Sequence, residues 1–231
     1  MAGILIPPSH RMHTDRLRLL RLLHLASPAL PIGAFHFSQG LEYAVEAGWV
    51  RNEAGALAWI GGVARNAIGT LDLPVLLRLH RACRSGDDAS LQRWSRFLLA
   101  SRETEELRAE DRHMGSALAR ILRELGSSEQ RAEPGYAEMF AIASVRWNIP
   151  ENEALQAYAW TWAENQVLAA VKLVPLGQSA GQRILHSLIP LLEELATQAL
   201  DIGDEDVGAC ALVQGLASAR HESQYTRLFR S

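Results

Sequence analysis

Residues 103–125, ETEELRAEDRHMGSALARILREL, carry the clearest periodic pattern in this sequence. Apolar side chains recur here at intervals of three and four residues, so they fall on one stripe of a helix. The members of this stripe are Leu107, Met114, Leu118, Ile121, Leu122 and Leu125. The pattern predicts a helix of about six turns whose apolar side faces a protein core.

The same helical spacing extends in both directions from this stretch, and the alternation that indicates strands is nearly absent. Pro74 suits the first turn of a second helix, and Pro150 opens a third. The polar stretch 127–135 predicts a loop rather than a domain linker, because helical patterns resume directly after it. We therefore predict one all-α domain of roughly ten helices over residues 16–231, preceded by a mobile N-terminal segment, residues 1–15.

Three local features support more specific expectations. Residues Leu17 to Leu25 are apolar on most faces, which predicts a buried helix. Gly61 and Gly62 interrupt a predicted helix, and they either weaken it or let a neighbouring backbone come close. Pro190 lies inside the last long apolar helix and predicts a kink, or a break followed by a restart.

The composition of the 231-residue chain is that of an ordinary globular protein. Its formal net charge of −3 offers no electrostatic case for binding nucleic acid or an anionic membrane. The sequence shows neither a signal peptide nor an apolar run of about 18 residues that would span a bilayer. Cys83 and Cys210 match no metal or redox spacing. These features predict a cytoplasmic protein with free thiols.

Several motifs of known catalytic sites are missing from the sequence. Lys172 is the only lysine, and no glycine precedes it, so the Gly-Lys pair of a phosphate-binding loop cannot form. The sequence also lacks a dinucleotide-binding glycine pattern, a Gly-x-Ser-x-Gly elbow and a His-Glu-x-x-His pair. His10 with His13, and His80 with Cys83, offer at most two metal ligands each, whereas stable sites need three or four. The sequence therefore shows no nucleotide or metal site.

Charged residues interrupt the apolar stripe of residues 103–125 or lie close to it. Asp111 falls on the stripe, where an unpaired acid is costly if it is buried. We expect either that Asp111 pairs locally with Arg108, three residues earlier, or that it contacts a partner. Arg102 and Glu106 have the spacing of an ion pair on one helix, which would make most of this charge a solvated face.

Two further features are unusual for a plain core. A polar stripe follows one side of the helix that begins at Pro150, and its members, seven residues apart, are Tyr158, Asn165 and Lys172. It is either the solvent-facing side, which we favour, or one wall of a polar groove.

The C-terminal tail has helically spaced apolar side chains at Tyr225, Leu228 and Phe229. Such a tail must dock on its own domain or on a partner.

Several short blocks of the sequence are shared with a known protein family. They are LASPALPIGAF (25–35), SQGLE (38–42), VEAGWV (45–50), SRET (101–104), ELR (106–108), KLVP (172–175), GQ (177–178), SARHE (218–222), Tyr225 and RLFRS (227–231). Together they cover the chain from about Leu17 to its last residue. In these blocks the sequence resembles the UreF family of urease accessory proteins.

The resemblance implies an all-α fold, a homodimer, and a complex with the accessory protein UreD, which is also called UreH. That complex recruits the GTPase UreG and acts on the urease apoprotein before nickel and CO2 enter the active site. The resemblance also implies that this chain is not an enzyme. GTP hydrolysis would belong to UreG, and nickel would be handled by the assembled complex, with no cofactor bound directly by this chain.

The resemblance indicates that the opening block and the tail are interfaces. The expected partner-binding residues are Phe35, Ser38, Gln39, Glu42, Tyr225, Arg227, Leu228 and Phe229, and weaker candidates are Lys172, Gln178 and Gln182. One alternative is a helical enzyme that uses scattered acids and histidines, such as Glu103, Glu106 and His113. Another is an adaptor of an unrelated complex. Turnover by the isolated chain would favour the enzyme, and co-purification with urease subunits would separate a urease accessory protein from the adaptor.

Overall fold

The computed structural model describes residues 8–129 and 131–230, and their side chains from residue 17 onward. Its elements, in chain order, are α1 (Pro8–Leu25), a 3₁₀ turn (Ala34–His36), α2 (Leu41–Glu46), α3 (Glu53–Val63), a π-helical segment (Ala64–Asp72), α4 (Leu73–Ser85), α5 (Asp88–Ala100), α6 (Glu105–Glu124), α7 (Tyr136–Arg146), α8 (Glu151–Leu173), α9 (Gln178–Gln198), a second 3₁₀ turn (Asp204–Asp206) and α10 (Leu212–His221). These ranges contain ten α-helices and no strand, which confirms the predicted all-α fold.

The segment predicted to be mobile, residues 1–15, lies partly outside the described residues. Residues 1–7 are not described, and α1 begins at Pro8, inside the predicted segment. The side chains of His10 and His13 also lie outside the described part of the chain.

Short polar side chains begin three of the helices. Each of them accepts a hydrogen bond from the amide N–H three residues later: Asn52 at 2.9 Å, Asp87 at 3.0 Å and Thr104 at 3.2 Å. The first amides of a helix have no partner inside it, so a side-chain acceptor at this position stabilises the helix start. The starts of α3, α5 and α6 are therefore specified locally.

Helix α7 lies at the centre of the core. Its residues 136–144 are all buried, and Phe140 is completely covered. Helices α4 and α6 pack against it, and α8 packs along α9 while also contacting α4 and α7. A helix that is buried on all sides must be surrounded by other helices, so the domain is built around α7.

Helices α3 and α4 belong to one continuous helical run with the π-helical segment between them. Pro74 lies just after that segment, where the change in hydrogen-bonding register accommodates a residue that has no amide hydrogen to donate. Within this helical run, the glycine that admits a close neighbour is Gly69, rather than Gly61 or Gly62. A methyl group at Gly69 would lie 2.6 Å from Cδ2 of Leu195 on α9.

The predictions for two apolar helices need correction. Leu19, Leu20 and Leu23 are more than half exposed, so the prediction that α1 is buried is wrong. Helix α1 lies on the surface because it packs one side against α7 and α8. Helix α9 continues through Pro190, so the predicted break with a restart is wrong, whereas the alternative, a kink at Pro190, stays a prediction. Pro190 is on the exposed side of α9, where water can bond the carbonyl group that the proline leaves without a partner.

A cluster of buried polar side chains joins the π-helical segment to α6, α7 and α8. The guanidinium of Arg102 donates two hydrogen bonds to the carboxylate of Asp72, at 2.6 and 3.1 Å. Asp111 lies 3.9 Å from the same guanidinium and accepts the amide N–H of Tyr136 at 3.3 Å. The hydroxyl of Tyr158 donates to Asp72 at 3.3 Å. One arginine therefore balances two buried acids.

The local ion pairs predicted for the start of α6 are consequently wrong. Arg102 pairs with Asp72 rather than with Glu106. Asp111 faces Arg102 rather than Arg108, whose guanidinium donates to the backbone oxygen of Arg102 at 2.7 Å. The distant pairs form because Arg102 precedes α6 and its side chain turns into the core, where Asp72 is only 1% exposed.

The polar stripe of α8 lines an internal cavity of about 60 Å³. Tyr158 and Asn165 contribute to its wall, together with Gln39 and Glu110. The favoured interpretation of the stripe as a solvent-facing side is wrong for Tyr158, which is 4% exposed. The alternative, one wall of a polar groove, describes this part of α8. Lys172, the last member of the stripe, is exposed.

Glu110 places a buried carboxyl group at the wall of this cavity. Burial raises the pKa of Glu110 to about 8, against the opposing effect of the hydrogen bond that Gln39 donates at 2.9 Å. Burial also raises the pKa of the neighbouring Asp111. At neutral pH the Glu110 carboxyl therefore keeps its proton in the folded chain.

Replacing Glu110 with glutamine should flatten the pH dependence of stability. The folded chain holds a proton that the unfolded chain releases near the ordinary pKa of 4.5. The free energy of unfolding of the wild type should therefore fall as the pH rises from about 5 to about 8. Glu110→Gln should be more stable than the wild type by at least about 2 kcal/mol at pH 8 and differ little at pH 5. Urea unfolding at both pH values measures this, and parallel pH profiles would contradict the raised pKa.

A methyl group at Gly115 should destabilise the fold. The backbone oxygen of Pro134 contacts α6 where the Cβ of residue 115 would lie. Gly115→Ala should lower the free energy of unfolding by about 1–3 kcal/mol, because loop backbone cannot yield as a side chain can. Gly62 is the matched helical control, since no atom lies within 4 Å of a Cβ placed there. Gly62→Ala should be neutral or stabilising, and similar thermal shifts for both variants would rule out the close contact.

Candidate partner-binding site

The tail, residues 222–230, follows α10 as turns, bends and irregular chain rather than as a helix. The three apolar side chains singled out from the sequence do not share one buried face. Phe229 is 6% exposed and joins the core, whereas Leu228 is 69% exposed and Tyr225 is fully exposed. The tail is therefore held at Phe229 and presents its other apolar side chains to solvent.

The carboxylate of Glu42 binds the end of the tail. Its two oxygens accept the backbone N–H groups of Leu228 at 2.6 Å and of Phe229 at 2.8 Å. Glu42 lies in the first turn of α2, which begins after Gly40. Gly40 has a positive φ of 83°, and a Cβ there would lie 2.8 Å from the backbone nitrogen of Ser218. Only glycine lets this turn bring α2 so close to α10.

His221 lies between two carboxylates and is completely buried. Its Nε2 is 3.1 Å from Glu42 and its Nδ1 is 2.9 Å from Glu106. Each ring nitrogen is therefore within hydrogen-bonding distance of an oxygen from a different carboxylate. Arg227 donates to the other oxygen of Glu106 at 2.9 Å. We name Glu42, Glu106, His221 and Arg227 the tail latch.

Lys172, at the C-terminal end of α8, lies between two aromatic rings beside the tail latch. Its Nζ is 5.7 Å from the ring centre of Phe35 and 5.6 Å from that of Phe229. A cation over an aromatic ring is attracted by about 0.5–1 kcal/mol at an exposed site. Phe35 is itself 51% exposed. Phe35, Lys172 and Leu228 are therefore accessible to another protein.

Ser38 and Gln39 connect internal elements. Ser38 is completely buried, and its hydroxyl accepts the amide N–H of Glu42 at 3.3 Å. Gln39 has a positive φ of 53°, and its side-chain oxygen accepts hydrogen bonds from Trp162 at 2.9 Å and Gln214 at 3.3 Å. Because Glu42 is buried as well, a direct partner contact by Ser38 or Glu42 stays a prediction that requires the tail to move.

The remaining candidates from the sequence are dispersed. Gln178 and Gln182 are exposed at the start of α9. Glu106, proposed as one acid of an alternative enzyme site, belongs to the tail latch, where His221 and Arg227 bind it. His113 instead packs edge-on against Phe37, with ring centres 5.8 Å apart. Sequence reasoning missed His221, although an acid in the opening block and a histidine in the closing block can form a hydrogen bond.

Metal ligands, reactive thiols and membrane-spanning helices would each point to a different kind of function. Among the described residues, no group of three or more His, Cys, Asp or Glu side chains is arranged to hold a metal ion. Cys83 and Cys210 are free, and burial raises the pKa of the Cys83 thiol to about 12. In the same part of the chain, no helix is both long and apolar enough to cross a bilayer.

Replacing Glu42 with glutamine should loosen the tail. An amide has one acceptor oxygen and no charge, so the bonds to Leu228, Phe229 and His221 cannot all be kept. We expect the free energy of unfolding to fall by about 1–3 kcal/mol and protease cleavage within residues 222–230 to accelerate. Glu46→Gln, an exposed change on the same helix, is the control. Equal cleavage rates for the two variants would show that Glu42 does not hold the tail.

Comparison with known proteins relates this chain to the UreF family over most of its length. The family model described as UreF matches residues 50–189. The urease accessory protein UreF of Alkalilimnicola ehrlichii is 50% identical over 216 residues, which cover 91% of this chain and 95% of that protein. The UreF of Teredinibacter turnerae is 45% identical over 218 residues, covering 93% of this chain and 99% of the relative.

The UreF of Pseudomonas putida extends the match to all of its own length, with 47% identity over 225 residues and 95% of this chain covered. These matches cover between 91% and 95% of this chain. The family model includes Glu106 and Lys172 of the candidate site, whereas Glu42, His221 and Arg227 lie outside its matched range. This chain belongs to the UreF family of urease accessory proteins.

Proposed function

We propose that this chain is a non-catalytic scaffold of urease maturation. It binds UreD and the GTPase UreG, and the assembled complex acts on the urease apoprotein so that nickel enters the active site. Membership of the UreF family supports the role in urease maturation. The exposed surface beside the tail latch supports the role as a scaffold, and it is the observation on which the proposal depends.

That surface combines apolar side chains with a single ammonium group. Phe35, Tyr225 and Leu228 are each at least half exposed, and Lys172 lies against the ring of Phe35. Large exposed apolar side chains near a charge are typical of protein–protein contacts. Ser38, Gln39 and Glu42 have a different task in this proposal, because they hold the turn and the tail that present the surface.

In the proposed complex, the partner proteins carry out the chemistry. Lys172 is the only lysine and cannot form the Gly-Lys pair of a phosphate-binding loop, so UreG supplies GTP hydrolysis. Nickel is handled by the complex, in the cytoplasm, with no cofactor resident in this chain. The homodimer is also part of the proposal. The apolar side chains of Leu212, Val213 and Leu216 on α10 are more than half exposed, which supports contact with a second copy.

Deleting the gene and restoring it with variants tests this function. Cells without the gene should make urease protein that lacks nickel, and the full-length chain should restore the metal. A chain truncated after Arg220 loses His221, Arg227 and Phe229, so it should bind UreD weakly and restore little nickel. Its helices should persist at a lower thermal stability, because the buried carboxylate of Glu42 loses its donors. The measurements are the nickel content of purified urease, circular dichroism, and capture of the variant by purified UreD. Arg123→Ala, an exposed change on α6, is the control.

Two outcomes would contradict different parts of the proposal. Normal nickel content in urease from the deletion strain would exclude a role in nickel insertion. A truncated chain that is much less stable, yet still binds UreD normally, would show that the tail is a core element of its own domain and not an interface.

A further inference from the structure

A pocket of about 420 Å³ lies between the 3₁₀ turn Ala34–His36 and the side of α6. Its walls combine apolar groups, among them Pro31 and Ile32, with four polar side chains: His36, His113, Ser116 and Arg120. None of its lining residues is acidic. The pocket is separate from the tail latch and from the internal cavity beside Tyr158.

Two imidazole rings approach the same side of Gly33 in this pocket. A Cβ at Gly33 would lie 2.9 Å from Nε2 of His113 and 3.6 Å from Nδ1 of His36, so the missing side chain leaves room next to both nitrogens. The φ of Gly33 is +78°, a conformation that also favours glycine. Nδ1 of His36 is buried and has no hydrogen-bond partner among the described residues. A buried polar atom of this kind needs a ligand or water to satisfy it.

Arg120 determines which ligand the pocket favours. It lies seven residues after His113, on the same side of α6, and is exposed. Within the described ranges, no carboxylate pairs with it. A metal cation would be repelled by this guanidinium and would find only two imidazole ligands. An anion would instead meet a guanidinium, a hydroxyl and two imidazoles that can all donate hydrogen bonds.

We propose that this pocket accepts a side-chain carboxylate, from an aspartate or glutamate of the protein that binds beside the tail. The apolar walls suit the methylene groups of such a side chain, and Arg120 supplies the charge complement. The backbone N–H of Arg230 donates to the oxygen of His36 at 2.8 Å. The docked tail therefore reaches the rim of the pocket, and the pocket continues the surface described above. This inference rests on the proposed function.

A titration of the purified full-length chain tests the pocket without any partner. Glutarate is the probe, at constant ionic strength, and the ring ¹⁵N resonances of His36 and His113 are followed by NMR. We expect both rings to respond together and to saturate. Arg120→Gln should weaken the response at least about fivefold, and Arg123→Gln, three residues along α6, should not. The proposal is overturned if glutarate leaves the rings unchanged, if Arg120→Gln responds like the wild type, or if zinc binds the rings and glutarate does not.

The second measurement is the affinity for purified UreD. Arg120→Glu places a negative charge where the carboxylate would bind, and should weaken the complex at least about tenfold relative to Arg123→Glu. Equal affinity of these two variants would exclude the pocket from that interface and overturn the proposal. Failure of the wild type to bind UreD would count against the proposed function itself, and the glutarate titration would still decide whether the pocket takes a carboxylate.

Discussion

The binding of the Glu42 carboxylate to both the tail and His221 is the interaction on which the partner-binding surface depends. A buried carboxylate without donors costs several kcal/mol, so the burial of Glu42 requires that its partners be in place. Two are backbone amides of the tail, and the third is a ring nitrogen at the end of α10. Glu42 can therefore be satisfied only when the beginning and the end of the chain fold together.

The same network of hydrogen bonds extends from Glu42 and the tail to the start of α6. Glu106 is shared by His221 and Arg227, and the carboxylate of Glu222 accepts the first amide N–H of α6, that of Glu105, at 3.0 Å. The tail, α2, α10 and the start of α6 therefore form one connected unit. Most of the charged and polar groups in it bind one another, which leaves exposed side chains such as Phe35 to contact a partner.

The helices could be predicted from the sequence because their signals are local: apolar spacing, capping side chains and the proline, Pro150, that directly precedes α8. Long-range pairing has no such signal. Nothing within a few residues of Arg102 indicates Asp72, and the exposed leucines of α1 have the same pattern as buried ones. The sequence blocks shared with the family contain the residues of the site. They do not show which of these residues contact a partner and which hold the partner-binding surface in place. Phe35 is exposed and Glu42 is internal, although both belong to the opening blocks.

The central claim is that the tail is docked on its own domain before any partner binds. Hydrogen–deuterium exchange of the free, full-length chain tests this directly at the amides of Leu228, Phe229 and Arg230, which donate to Glu42 and to the backbone of His36. If the tail is docked, these amides should exchange at least about 100-fold more slowly than in an unstructured peptide. Exchange at the peptide rate, with protection appearing only after UreD is added, would contradict it.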